Sequence, residues 1–126
     1  MKISNDSNDF LVIQETSNCD LFELFRVVGK REEKCIRDTK MFIPGQNSLE
    51  GRQFACTLSE VLKYAKTDNS KVVPVKVIVV KKILSVLDFS GNIDTNVFVN
   101  GVYTVQPEVN AIFNSSIISI EFLERL

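Results

Sequence analysis

The sequence predicts an α+β domain, and three observations carry that reading. Val72–Val80 is an almost unbroken β-branched run with Lys76 as its lone charge, the mark of a central strand. Thr57-Leu-Ser-Glu60 has the form of a capping box, and an amphipathic stripe follows it. Asn100-Gly101 stands between two short apolar stretches, Val97–Val99 and Val102–Val105, and is a strong short hairpin signal. The 126 residues suit a single domain over 1–126, with a loose Ser/Asn/Asp-rich segment at 1–9. A chain of this size buries roughly two-thirds of its unfolded surface, enough for one core.

Taken in order, Phe10–Ile13 reads as a short strand before a polar connection. Leu21–Val28 is the first firm strand, closed by Gly29. A period of two puts Phe22, Leu24, Arg26 and Val28 on one face, so Arg26 shares its direction with three apolar side chains. A guanidinium there needs a partner, because an unpaired buried charge is costly. Glu50 and Glu121 are the candidate internal partners, Glu23 lying on the opposite face; a ligand anion is the alternative. Residues 30–39 form a short helix with Glu32 and Glu33 in its first turn and Arg37 near its end, the order the helix dipole favours. Met41–Gly51 is a loop punctuated by Pro44-Gly45. Gln53–Cys56 is a strand leading into a helix at 57–66, whose stripe is Leu58, Val61, Leu62 and Ala65. Pro74 belongs near the start of its strand, where a missing donor is tolerated. Ile83–Phe89 reads as a further strand or as the continuation of the preceding one after a bend at Lys81-Lys82, and Gly91-Asn92 as a turn. Pro107 suits the first position of a helix over Val109–Phe113, and Ile117–Leu123 closes the chain as a strand.

Composition excludes several classes of function. There is no histidine, which removes Ser-His-Asp and Cys-His catalysis and imidazole acid–base chemistry. Cys19, Cys35 and Cys56 are widely spaced and odd in number, a pattern of free thiols in a reducing compartment rather than a metal site. Net charge of −1 and a pI near 5.5 give no global field for nucleic acid or anionic lipid. The basic cluster Lys30, Arg31, Lys34, Arg37 and Lys40 is diluted by Glu32, Glu33 and Asp38 and reads as a solvated face. No run approaches the roughly 18 apolar residues of a membrane span, and the polar N-terminus is unlike a signal peptide. The expected location is cytoplasmic, with specialised export leaving no trace in such a sequence.

Three segments, in this order, resemble the mono-ADP-ribosyltransferase superfamily, including its bacterial toxin-type members. They are Phe25-Arg26-Val27-Val28, then Glu50-Gly-Arg-Gln-Phe-Ala-Cys-Thr57 with Leu58–Ala65, and Gly101-Val-Tyr-Thr-Val-Gln-Pro-Glu108. The resemblance spans roughly 21–123. It implies a split β-sandwich of two small, roughly perpendicular sheets with flanking helices, holding NAD as a substrate in a cleft. It implies that Arg26 touches the adenosine ribose or phosphates, and that Phe54, Thr57 and Ser59 shape the nicotinamide pocket. Glu108 would bind the nicotinamide ribose and stabilise the oxocarbenium ion, while Gln106 orients an acceptor. The sequence departs from the family at Pro107 and in having Phe-Ala-Cys-Thr where a Ser-Thr-Ser pattern is usual.

The chemistry is coherent without histidine. Nicotinamide leaves as a neutral molecule, so negative charge beside the developing cation helps more than a strong base does. Each residue also has a plain structural reading. Glu108 in a first helical turn gains about 0.3–1 kcal/mol from the dipole, and capping accounts for Thr57 and Ser59. Glu121 and Glu124 are alternative carboxylates. Three functions therefore stand at this point: an NAD-dependent ADP-ribosyltransferase with an unknown macromolecular acceptor, of the kind found in toxins or phage-related modifiers; a catalytically silent, partner-binding domain of the same fold; or an unrelated small α+β protein-binding domain.

Overall fold

A computed structural model of the protein describes residues 20–43, 51–91 and 96–126. The expected strand at 10–13 and most of the loop from Met41 lie outside them. The fold is α+β, built on a six-stranded antiparallel sheet of order β4-β5-β2-β1-β3-β6. In chain order these are β1 (Leu21–Gly29), α1 (Lys30–Thr39), β2 (Arg52–Ala55), α2 (Leu58–Ala65) and β3 (Lys71–Val80). A 3-10 helix (Lys81–Val86) leads to β4 (Asp88–Ser90) and β5 (Val102–Val105). A 3-10 turn (Pro107–Val109) then opens α3 (Asn110–Ser115), and β6 (Ile117–Phe122) completes the sheet.

Among the described residues the strands form one continuous ladder, narrowed at its middle, rather than the two separate sheets implied by the family resemblance. β1 pairs with β3 along its whole length, from Leu21↔Val80 to Gly29↔Lys71. It meets β2 at one register pair, Phe25↔Ala55. The sheet thus has a half made of β4, β5 and β2 and a half made of β1, β3 and β6, joined at a seam. Both halves feed one core: Leu24, Val28 and the odd-numbered valines Val73–Val79 come from one, Phe54 and Val105 from the other.

Strand alternation sorts the helices onto the two faces. Leu24 and Val28 pack in the main cluster with Ile36 of α1 and Phe113 of α3, where Phe42 and Phe54 stack edge-on at 5.2 Å. Phe25 and Val27 point the other way, into a smaller cluster with Val61 of α2. Pro74 is buried within β3, where its carbonyl still accepts from the Leu123 amide at 2.9 Å.

Two expected elements are replaced. Of Ile83–Phe89 only Asp88 and Phe89 are strand residues, in β4: the 3-10 helix takes the first part and buries Ile83, Leu84 packs beside the core, and Leu87, just past the helix in extended backbone, is buried there too. The Asn100-Gly101 hairpin does not form either, because β5 pairs with β4, and Val99 is 71% exposed. The turn chemistry itself is present. Gly101 has φ of 85°, and its amide donates to the Phe98 carbonyl at 3.0 Å. A Cβ there would also collide with the Phe89 ring, so glycine is required twice over.

Candidate functional site

Where β1 and β2 part, a cleft of about 230 Å³ opens between the halves of the sheet. Arg26 and Val27 of β1 line one wall, and Gly51 to Ala55 the other; Val61 and Tyr64 of α2, Phe98, Lys71 and Val102 complete it. Gly51 lies so close to β5 that a Cβ would overlap the Val105 carbonyl. Only glycine lets the chain enter the cleft wall at that point.

Arg26 spans the seam. Its Nη1 donates to the Gln53 carbonyl at 2.9 Å, while Nε and Nη2 form a fork on Glu32, at 2.7 and 2.9 Å. The partner of this strand arginine is therefore Glu32, in the first turn of α1, and neither Glu50 nor Glu121. Burial tends to raise the Glu32 pKa, but the hydrogen bonds and charge of Arg26, helped by Arg52 and Lys71, outweigh it and hold the carboxyl below its ordinary value. Arg52 reaches the same carboxylate at 3.4 Å and donates to the Ile43 carbonyl at 2.6 Å. Three cations, Arg26, Arg52 and Lys71, thus line the cleft, and none of its lining residues is a carboxylate. Tyr64 and Phe98 form an aromatic pair beside them, with centroids 5.7 Å apart.

Of the other residues singled out by sequence, Phe54 lines the cleft beside Arg26, whose guanidinium carbon lies 5.9 Å from its ring centroid, and the rest do not line it. Phe54 is fully buried and its ring lies in the main core, 5.2 Å from that of Phe113. Thr57 caps α2: its hydroxyl accepts from the Glu60 amide at 3.4 Å and donates to the Glu60 carboxylate at 2.6 Å. Ser59 is exposed, with its hydroxyl 3.3 Å from that of Thr57. Glu60 is buried and also accepts from the Asn100 amide at 2.9 Å. Its burial raises the pKa, but the bonds from Thr57 and Asn100 outweigh that and hold it low. Gln106 donates to Asp88 at 2.9 Å. Glu108 is exposed in the first turn of the 3-10 helix, with no hydrogen bond or ion pair among the described residues.

The expected convergence of Arg26, Thr57 and Glu108 on one cleft is not what the fold produces. In the β2/β5 ladder, Arg52 faces Val105 and Ala55 faces Val102. Thr57 follows Ala55 and Glu108 follows Val105, so they leave the ladder at opposite ends. They also belong to elements packed on opposite faces. Glu121 pairs with Lys76 at 3.4 Å, away from the cleft, and Glu124 is exposed.

Sequence reasoning passed over Arg52, Lys71, Tyr64 and Phe98. Tyr64 had one available signal, an aromatic residue next to the apolar stripe of α2. Arg52 and Lys71 open β2 and β3 and Phe98 lies in the turn before β5, and their meeting depends on strand order, which a one-dimensional pattern does not carry.

Comparisons add no relative. No family model matches the chain, and neither curated proteins nor solved structures give a significant match. No helix among the described residues is long and apolar enough to cross a membrane.

Proposed function

We propose that the seam cleft takes NAD and that the chain is a domain of the mono-ADP-ribosyltransferase type, acting on a macromolecular acceptor. The observation that carries this reading is the cleft lining: Arg26, Arg52 and Lys71 beside Tyr64 and Phe98, with Glu32, the carboxylate that holds Arg26 and reaches Arg52, outside that lining. Cations suit a pyrophosphate, and an aromatic pair suits a flat ring. Ligand sites generally run about 300–1,000 Å³, so a cleft of 230 Å³ holds one end of a dinucleotide. The rest of NAD would lie along the cleft mouth. The motif order, strand arginine, capped helix and Gln-x-Glu, supports the same reading. In it Arg26 is the anion contact, Gln106 and Glu108 are the catalytic candidates, and Phe54, Thr57 and Ser59 support the pocket wall through the core and the α2 cap.

A second reading, a catalytically silent domain of this plan, is favoured by one observation. The cleft has no carboxylate of its own to face an oxocarbenium ion, and Glu108 projects from an element on another side of the sheet. Two measurements on the purified protein separate the readings: NAD affinity by calorimetry and nicotinamide release. Binding with release that falls about 10²–10³-fold in Glu108→Gln supports the transferase, since that is the usual cost of losing preorganised electrostatic stabilisation. Binding without release supports the silent domain. Absence of binding defeats both and leaves an unrelated α+β binding domain.

A further inference from the structure

Arg52 and Lys71 have a second side. Beyond them, between the start of α1 and the turn before β3, lies a wider hollow of about 810 Å³. Among the described residues, Lys30, Arg31, Arg52 and Lys71 supply four cations to its lining, against the carboxylate of Glu32. That carboxylate is already held by the Arg26 fork and by Arg52. Asp68, nearby in the turn, is engaged by the Ser70 amide and hydroxyl at 3.0 and 2.6 Å and does not line the hollow. Arg52 and Lys71 are partly balanced by Glu32 and Asp68, whereas Lys30 and Arg31 have no ion pair among the described residues.

Two further features point to an anion. Arg52 Nε is buried and has no hydrogen-bond partner among the described residues, although the rest of its guanidinium is engaged. A buried charged donor without an acceptor is costly, and an oxyanion in the hollow would supply one once the side chain turned toward it. Gly29, the residue before α1, offers no side-chain cap, so the positive end of a ten-residue helix opens beside Lys30 and Arg31. Gly29 also keeps the wall closed. It sits so near the Ser70 carbonyl that a Cβ would lie 3.0 Å from that oxygen.

We infer that this hollow binds a phosphate or diphosphate group, seated by Lys30, Arg31, Arg52 and Lys71. The inference goes beyond NAD binding at the seam and does not depend on it, because Lys30 and Arg31 line the hollow and not the cleft. The phosphate belongs either to a small molecule or to a nucleic-acid end; the chemistry of recognition is shared.

The test is calorimetry with pyrophosphate, and with a short 5′-phosphorylated oligonucleotide beside its unphosphorylated twin. The full chain is used, with and without saturating NAD. Binding of pyrophosphate is expected, weakening with salt and falling about tenfold or more in Lys30→Gln/Arg31→Gln, as charge-assisted contacts are lost. Preference for the phosphorylated oligonucleotide over its twin assigns the group to a nucleic-acid end; binding of pyrophosphate alone assigns it to a small molecule. A second readout does not depend on affinity. Cys35 is half-buried in the lining of the hollow, whereas the half-buried thiol of Cys56 lies outside it. Pyrophosphate should slow alkylation of Cys35 and leave that of Cys56 unchanged, followed by peptide mass spectrometry. No binding, binding indifferent to the double variant, or no selective protection of Cys35 overturns the inference. Tyr64→Ala tests the seam alone: loss of NAD binding with pyrophosphate binding intact confines the change to the cleft.

Discussion

Arg26 shows how a single side chain can hold a fold open and together at once. Its guanidinium sits on an otherwise apolar strand face and is satisfied by Glu32 and by the Gln53 carbonyl. Arg26→Met leaves the Glu32 carboxylate largely buried with Arg52 as its remaining partner. Because charged hydrogen bonds are worth about 1.5–3 kcal/mol each, a loss of that order is expected. The double variant Arg26→Met/Glu32→Met should lose less than the sum of the two singles in urea unfolding; simple additivity would show the pair to be uncoupled. Glu33, the next residue, has a different environment. Arg125 grips it with two hydrogen bonds, at 2.8 and 2.9 Å, and Arg37 adds a third at 3.0 Å. The Arg125 bonds lead in lowering its pKa, from 4.5 to about 2. A carboxylate depressed in the folded state contributes stability that is present above about pH 4.5 and is lost as pH falls through about 2. The melting temperature of the parent should therefore drop across that window, and Glu33→Gln should flatten the drop; identical profiles would remove Glu33 from the acid response. At this scale the anomaly of Arg26 is legible in sequence, since an even-numbered position among Phe22, Leu24 and Val28 must face the core. Its partner is not, because Glu32 arrives only after the chain turns from strand into helix.

Among the elements, α2 is the one most fully written in local sequence. Thr57 caps it, Glu60 completes the contact, and Val61 is the buried centre of its stripe. Thr57→Ala should cost about 1 kcal/mol, read as a lower melting temperature, and Thr57→Ser should restore most of it. A neutral Thr57→Ala would mean that α2 is held by packing and the Glu60–Asn100 bonds alone. The stretches misread were those in which local pattern and long-range pairing compete. Asn100-Gly101 has the residues of a hairpin turn, yet the partner of β5 is β4, ten or more residues earlier. Ile83, Leu84 and Leu87 look like strand residues by type, yet the first two sit in a 3-10 helix and Leu87 lies just past it, so the strand begins only at Asp88.

The whole molecule is governed by the seam. Composition and the long Val72–Val80 run suffice to announce an α+β fold with one core, and β3 is indeed flanked by strands on both sides. Strand order is beyond such reasoning, because pairing between β1 and β2 depends on residues about thirty positions apart meeting at one point, Phe25↔Ala55. With so slender a junction, the half made of β1, β3 and β6 should keep its amides longer in hydrogen exchange than the half made of β4, β5 and β2. Uniform protection across all six strands would show that the shared core, rather than the ladder, sets the opening unit. The same junction bears on what a ligand does when it arrives. A molecule lodged in the cleft touches both halves and acts as a rivet across them. It should therefore sharpen unfolding as well as delay it, drawing the van't Hoff enthalpy up toward the calorimetric one as two loosely coupled parts are made to melt as one.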